Sequence, residues 1–417
     1  MSGIKVAVIG FGNMGTAHAT CLAEGKIRAV PTGGAQAAVV AVPHPLHGEI
    51  ASAALGAGLH TLVEKPMEVS VTKARRLAED ARKSGKVFAI MLNQRTNPLF
   101  RKAREIVQGG ELGEMKRTVW IITNWYRTQH YYDSGSWRAT WAGEGGGVLL
   151  NQAPHNLDLW QWICGMPVSV TAQCEVAKYH HIEVEDEAHI EVEDEATLFT
   201  RYANGATGLF ITSTGEFPGT NRLEISGELG KLVLEEGKLK WWKLRHNERE
   251  VRFGSQLDFA KIDMDYTEIV PEEKETAHAG ILQNFANAIL EGEPLLSPGE
   301  DGINELTLSN AAYLSQWQGN VPVTLPLDGA AFDRLLAQRE IPPCCHIHLS
   351  RCGTGRGGRQ RPVQPAVASQ LVTVPGQGMD RASGQANNRG HPAGARLCRA
   401  RRCRSSAFSW MRTIFPC

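Results

Sequence analysis

The run HTLV at 60–63 is followed by Glu64-Lys65-Pro66, and the run AAVVAV at 37–42 by the polar cluster PHPLH at 43–47. Open α/β sheets gather their ligands at the carboxyl ends of parallel strands. A lysine, a carboxylate and two imidazoles in such places could bind anions and move protons. Lysine at a strand end is also an ordinary solvated cation, its usual fate, so position alone leaves both readings open for Lys65. A third cluster is phosphate chemistry: IKVAVI at 4–9 runs directly into GFGNMG, placing Gly10, Gly12 and Gly15 at the G-x-G-x-x-G spacing. In that pattern the first glycine permits a tight turn, the second lets the backbone approach a pyrophosphate, and the third allows close helix packing. The anion is then held by helix N-terminal N–H groups and the helix dipole.

These residues need a parallel sheet to position them. IKVAVI is apolar and β-branched, as a strand buried on both faces requires, and Thr16–Glu24 offers a helix ending at Gly25. Further strand-like runs at 37–42, 60–63 and 86–91 are separated by helical segments near 46–57 and 70–84. That alternation predicts a doubly wound parallel sheet. Beyond it the pattern changes. TLFTRYANGATGLFIT (197–212) is two alternating runs around Asn204-Gly205, a strong hairpin pair, and RLEISGELGKLVLEEGKLKWWKL (222–244) continues as a meander. The second part is therefore α+β with a mainly antiparallel sheet, flanked by helices near 277–291 and 300–318.

GFGNMG, PHPLH, EKP and GEGGGVLLNQAPHNLDLWQWICG (143–165), occurring in that order, resemble the Gfo/Idh/MocA oxidoreductases, the family of glucose-fructose oxidoreductase and inositol dehydrogenase. The likeness covers about residues 3–340. It implies an NAD(P)-binding Rossmann-like domain at 1–113, a substrate and oligomerisation domain at 114–340, and hydride transfer between a sugar or inositol-like hydroxyl and NAD or NADP. A homo-oligomer is expected on the same ground. Lys65 matches the family's catalytic lysine and His155 the histidine of its D-x-x-x-H motif. The motif's first position is Asn151 here, an amide that can orient a hydroxyl but cannot exchange a proton as a carboxylate does. The cofactor is expected against Gly10, Gly12, Asn13, Met14, Gly15, Pro43, His44, His47, Glu64 and Lys65. Asn93 and Arg95, in MLNQRTNP, match a family segment near it.

The implied chemistry suits these types. Oxidising a carbinol leaves an O–H proton that must depart to a base within hydrogen-bond reach. His155, with an ordinary pKa of about 6.5, fits that role near neutrality, while Lys65 would stabilise alkoxide-like charge or share the proton. Flat aromatic faces and polar forks that would line a pyranose site lie nearby: Trp125, Arg127, Tyr132, Trp137 and Arg138. The alternatives on the same scaffold are an NAD-dependent glycosidase and a non-catalytic sugar or nucleotide sensor.

Three features depart from this pattern. A regular Rossmann unit places an acid about 20 residues past the glycines to bind the adenosine ribose. Here Lys26–Gln36 contains none, and only 21 residues lie between Gly15 and Ala37. The end of the second strand, a crossover helix and a third strand are missing, and PTGGAQ is too short for a parallel crossover of a dozen residues. Second, HIEVEDEAHIEVEDEA at 181–196 is a tandem copy of eight residues. An even insertion preserves which face later strand residues present, and the acid-rich copies are expected to be solvated; no metal is expected at His181 and His189.

Third, residues 341–417 hold 12 Arg, no Lys and the single acid Asp380, leaving residues 1–340 with 32 bases against 43 acids. Six of the nine cysteines crowd this tail. It lacks the apolar pattern to offset its ordering entropy and is expected to be disordered. CCHIHLSRC and CRARRC invite a zinc reading but hold no C-x-x-C pair, and nucleic-acid binding rests on charge alone. Cys21, Cys164 and Cys174 show no disulfide pattern, no apolar run approaches a membrane span, and no secretory leader is visible. The body reads as a cytoplasmic protein.

Overall fold

The computed structural model describes residues 3–25, 27–31, 34–135, 137–176 and 190–340. The first part contains β1 (Ile4–Ile9), α1 (Asn13–Ala23), β2 (Ala29–Pro31), β3 (Ala37–Val40), α2 (His47–Gly56), β4 (His60–Val63), α3 (Val71–Ser84), β5 (Phe88–Ile90) and α4 (Pro98–Gln108). Among the described residues its sheet has the order β2-β1-β3-β4-β5, parallel throughout. All four residues of β3 are buried, which explains its unbroken apolar sequence. α3 shows the opposite logic: Val71, Ala74, Leu77, Ala78 and Ala81 face inward at helical spacing, with charges on the outer face and Gly85 ending the helix at φ +63°.

The glycine turn is built as its spacing requires. Gly10 has φ +96°, and a Cβ there would lie 2.3 Å from the Ala41 carbonyl oxygen. A Cβ on Gly15 would lie 1.8 Å from the Gly10 oxygen, so both positions exclude any larger residue. α1 begins at Asn13, three residues before the expected start.

The short connection after β2 is accommodated by stagger, which corrects the expectation that PTGGAQ could not carry a crossover. Pro31 at the end of β2 pairs with Val6, and Ala37 at the start of β3 pairs with Val6 from the other side. A full crossover is long because it must return the chain to the starting end of the sheet. Here no return is needed. The chain only steps sideways by two strand spacings, about 10 Å, and the links from Pro31 to Ala37 can span roughly 20 Å.

The second part contains β6 (Met115–Ile122), α5 (Gln129–Asp133), α6 (Trp141–Glu144), α7 (Val148–Asn151), α8 (Pro154–Cys164), β7 (Ser169–Glu175), β8 (Glu195–Arg201), β9 (Thr207–Ser213), β10 (Asn221–Gly227), β11 (Gly230–Glu235), β12 (Lys238–Leu244), α9 (Glu248–Gly254), β13 (Met264–Ile269), α10 (Ala277–Glu291), α11 (Gly302–Trp317), β14 (Val323–Thr324) and α12 (Gly329–Arg339). The described strands form one sheet, β13-β12-β11-β10-β6-β9-β8-β7-β14, antiparallel except where β6 meets β9. The hairpin turns at Asn204-Gly205 and the meander is β10–β12, as their sequences require.

One apolar cluster runs from Val40 and Leu55 through Leu150, Trp160 and Tyr313 to Leu336. A second joins Ile4, Val6, Leu22 and Ala29 to Ile281, Leu282 and Phe285 of α10, so a helix late in the chain covers one face of the parallel sheet. Of the tandem copy, the described part is not solvated: Ile190, Val192, Glu193, Asp194 and Ala196 are all buried. The first copy (181–188), His189 of the second and the arginine-rich tail lie outside the described residues. No helix among the described residues is long and apolar enough to cross a membrane.

Candidate active site

Lys65 follows β4 at the carboxyl edge of the parallel sheet, and its Nζ donates to the Asn151 main-chain oxygen at 2.7 Å. Burial, only partly offset by Glu64, Glu305 and Glu144, pulls this ammonium below the usual lysine range. The lysine loop is braced from behind by His47, whose ring nitrogens lie 2.6 Å from the Pro66 oxygen and 2.8 Å from the Val42 oxygen. Asn151 ends α7, and that short helix is held from outside. Glu193 accepts the Gly147 and Leu149 N–H groups at 2.9 Å each and the Tyr313 hydroxyl at 2.8 Å. Burial pushes the Glu193 carboxyl up to about 7. The acid of the tandem copy is thus what seats the partner of Lys65.

A cavity of about 290 Å³ opens beside Lys65. The parallel sheet and α1 contribute Met14, Glu64, Lys65 and Asn93 to it, while the second part contributes Trp125, Arg127, Tyr131, Asn151 and His155. The volume is close to the lower bound of the ~300–1,000 Å³ typical of small-molecule sites. His155 Nδ1 is buried without a hydrogen-bond partner, and burial beside Lys65 pushes the imidazole down to about 3. It is therefore neutral at physiological pH. Glu64 behaves oppositely: burial disfavours its charge, but the hydrogen bond and charge of His18, 2.5 Å away, hold it at about 2. Asn93 Nδ2 lies 3.4 Å from His278 Nδ1, and its Oδ1 is buried without a partner.

The sequence expectation for Tyr132 is corrected by one position. Tyr131 lines the cavity, whereas the Tyr132 hydroxyl lies 3.1 Å from Thr214 Oγ1 and its ring packs on the apolar core. The Tyr131 oxygen receives Arg138 at 2.6 Å, Gln152 at 2.8 Å and Asn151 Nδ2 at 2.9 Å. Asn151 Nδ2 also donates to Glu144. Arg138 and Trp137 stand one layer back, with the guanidinium 4.1 Å from the Tyr131 ring centroid and 4.4 Å from that of Trp137.

Three residues expected at the cofactor serve the scaffold. His44 contacts the Glu144 main-chain oxygen at 3.0 Å and His47 braces Pro66; both are buried. Arg95 donates to both oxygens of Asp158 at 2.8 and 2.6 Å and to Asp301 at 2.6 Å, with 1% of its surface exposed. Pro43 begins the short turn carrying His44. Residues the sequence reasoning passed over are His18, Glu144, His278 and Glu305. Glu305, on α11, is fully buried, neither carboxyl oxygen has a hydrogen-bond partner, and burial pushes it well above the carboxylate range.

The two ends of a dinucleotide meet different surroundings. At Gly12 an added Cβ would find nothing within 4 Å, leaving the helix N-terminus open to an anion, and Met14 on the same first turn lines the cavity. The phosphate, inner ribose and nicotinamide fit here. On the adenosine side β2 ends level with Val6, and Lys26–Gln36 offers no acid. Arg28 is paired with Glu291, and its N–H donates to Gln283 at 3.0 Å. That stretch offers an adenosine ribose no carboxylate.

Residues 26–92 match the family model described as "Oxidoreductase family, NAD-binding Rossmann fold", and residues 100–233 that of the GFO/IDH/MocA C-terminal domain. An uncharacterised oxidoreductase of Schizosaccharomyces pombe is 33% identical over 149 residues, 36% of this chain and 39% of the relative. Myo-inositol 2-dehydrogenase of Thermotoga maritima is 24% identical over 271 residues, 64% of this chain and 74% of that enzyme. The chain spans about two fifths of the length of the first curated relatives it matches. Among solved structures, the WlbA dehydrogenase of Bordetella pertussis, in complex with NADH and UDP-GlcNAcA, superimposes with a TM-score of 0.62 at 24% identity, covering 78% of this chain and 100% of that one. A levoglucosan dehydrogenase in complex with NADH and levoglucosan gives 0.64 at 19% identity over the same shares. These likenesses establish a shared fold.

Proposed function

The chain belongs to the GFO/IDH/MocA oxidoreductases, and from that premise we propose that it is an NAD(P)-dependent dehydrogenase acting on a CH–OH group of a sugar or inositol-like polyol. Residues 1–113 serve the cofactor and residues 114–340 the substrate. The observation that carries this reading is the meeting of Lys65, the unpartnered Nδ1 of His155 and the Asn151–Tyr131 amide and hydroxyl network at one cavity.

The nicotinamide, when bound, supplies the hydride acceptor or donor. Lys65 handles the proton. Burial lowers its affinity for a proton, so a neutral amine can take the carbinol proton during oxidation and the ammonium can return it during reduction. His155 cannot store a positive charge at its depressed value near 3. It acts instead as a neutral hydrogen-bonding group that orients the reacting hydroxyl, reversing the division of labour expected from unperturbed pKa values. Glu64 keeps a fixed negative charge beside Lys65, and Asn151 and Tyr131 present polar atoms to the remaining hydroxyls.

The test is oxidation of a panel of myo-inositol, scyllo-inositol, levoglucosan and free hexoses with NAD or NADP, following reduced nicotinamide. Turnover with at least one polyol is expected. Nicotinamide binding without turnover of any would favour a second reading, a non-catalytic sugar or nucleotide sensor, which the poorly supported adenosine side suggests.

A further inference from the structure

The geometry points to a site for a mononucleotide: the chain binds the nicotinamide–ribose–phosphate half of the cofactor, and the adenosine half contributes little to affinity. This rests on the nicotinamide reading above and goes beyond it, because it changes which cofactors the site accepts.

Two sets of observations meet here. On one side, everything a nicotinamide mononucleotide needs is in place. The tight turn at Gly10 and the close packing of Gly15 hold the N-terminus of the eleven-residue α1, with open space over Gly12 for a phosphate. Met14 links that turn to the cavity containing Lys65, and the buried, unpartnered Asn93 Oδ1 and His155 Nδ1 offer polar partners within it.

On the other side, the wall that should carry adenosine ends too early. β1 continues through Ala7, Val8 and Ile9 towards the glycine turn, while the described part of β2 ends opposite Val6. Those three residues extend about 10 Å past the last described residue pair of β2. The usual ribose-binding carboxylate is missing from Lys26–Gln36. Among the described residues of this stretch, the cation that could have met a 2′-phosphate, Arg28, is paired with Glu291 of α10. α10 also contributes Gln283 to the Arg28 N–H and Ile281, Leu282 and Phe285 to the core beneath β2, so this edge is finished as protein.

In a normal dinucleotide site, charged hydrogen bonds to the ribose and adenine contact add affinity that the mononucleotide lacks. Here those terms are removed while the shared half remains, so NADH and its mononucleotide should bind almost alike.

The full chain is titrated with reduced nicotinamide mononucleotide, NADH and NADPH, following nicotinamide fluorescence, and with adenosine monophosphate as competitor. The expected result is dissociation constants for the three nicotinamides within tenfold of one another and no displacement by adenosine monophosphate. Gly12→Asp supplies the control. Aspartate is a favoured helix N-cap and meets open space, so the fold is retained, while its charge and volume occupy the phosphate position. It should weaken mononucleotide and dinucleotide together, by tenfold or more. NADH binding more than tenfold tighter than the mononucleotide, displacement by adenosine monophosphate, or unchanged binding in Gly12→Asp would each overturn the inference. If no nicotinamide binds at all, the dehydrogenase reading fails with it.

Discussion

His18 Nε2 and Glu64 Oε1 lie 2.5 Å apart and join the helix of the glycine turn to the strand end that carries Lys65. The glycine-turn end and the Lys65 end of the candidate site are thereby one electrostatic unit, because Glu64 is held ionised by His18 and in turn favours the charged form of Lys65.

Removing that charge should move the activity profile. In Glu64→Gln, Lys65 loses its main anionic neighbour and its pKa falls further, so the rising limb of kcat/KM for oxidation shifts to lower pH. The folded protein also changes. A carboxyl near 2, below its ordinary 4.5, contributes stability that is present above pH 4.5 and lost as pH falls towards 2. That contribution is up to about 3 kcal/mol. Urea midpoints at pH 6 and pH 3 should differ less in the variant than in the parent, and an unchanged difference would refute the assignment.

Lys65→Met keeps the length of the side chain and removes the transferable proton. Turnover is expected to fall by roughly 10²–10⁴-fold, with the nicotinamide dissociation constant changed by less than about threefold. Stopped turnover and fluorescence titration on the same preparation separate the two. Equal losses in both would assign Lys65 to cofactor binding.

Tyr131 and Tyr132 give a paired comparison. Tyr131→Phe strands the donors of Arg138, Asn151 and Gln152, leaving buried polar groups unpaired at about 1–3 kcal/mol, and kcat/KM should drop at least tenfold. Tyr132→Phe loses only the contact to Thr214 and should stay within threefold. The reverse ranking would restore the sequence-based choice.

Glu193→Gln tests the strut under α7. Because burial raises this carboxyl to about 7 from 4.5, the folded state favours the protonated form. Its stabilising contribution is complete below pH 4.5 and disappears as pH rises through 7, up to about 3 kcal/mol. The parent should therefore lose urea resistance between pH 5 and 7.5, and the variant should show a flatter curve.

Arg95→Lys retains the charge but loses the fork that grips Asp158 and reaches Asp301. Losing those charge-assisted hydrogen bonds while keeping the charge costs on the order of 1–3 kcal/mol, which a chemical denaturation midpoint would register. Nicotinamide affinity of the folded variant should hold within threefold, since Arg95 does not line the cavity. A selective loss of affinity would return it to the cofactor site.

Much of this was legible in the chain itself. Local patterns marked the strands at 4–9, 37–42 and 60–63, the hairpin at Asn204-Gly205 and the helices near 277–291 and 300–318, because apolar period and turn chemistry act over a few residues. Lys65, Asn151 and His155 were legible as candidates through motif spacing. The choice between Tyr131 and Tyr132 was not, since adjacent residues of an irregular segment differ only in which way the fold turns them. The burial of Glu193 was equally hidden: an acid-rich repeat looks solvated until Gly147, Leu149 and Tyr313 arrive from distant positions to satisfy it.

The sequence alone determined that a glycine turn opens a parallel sheet, that a lysine ends one of its strands, and that the ribose carboxylate is missing. Only the tertiary structure decided what those facts mean. The stagger of β2 and β3 about Val6 lets five residues replace a crossover, and burial keeps His155 neutral while leaving Lys65 less firmly protonated. Both outcomes depend on distance through space and on exclusion of water, which a linear order of residues does not specify.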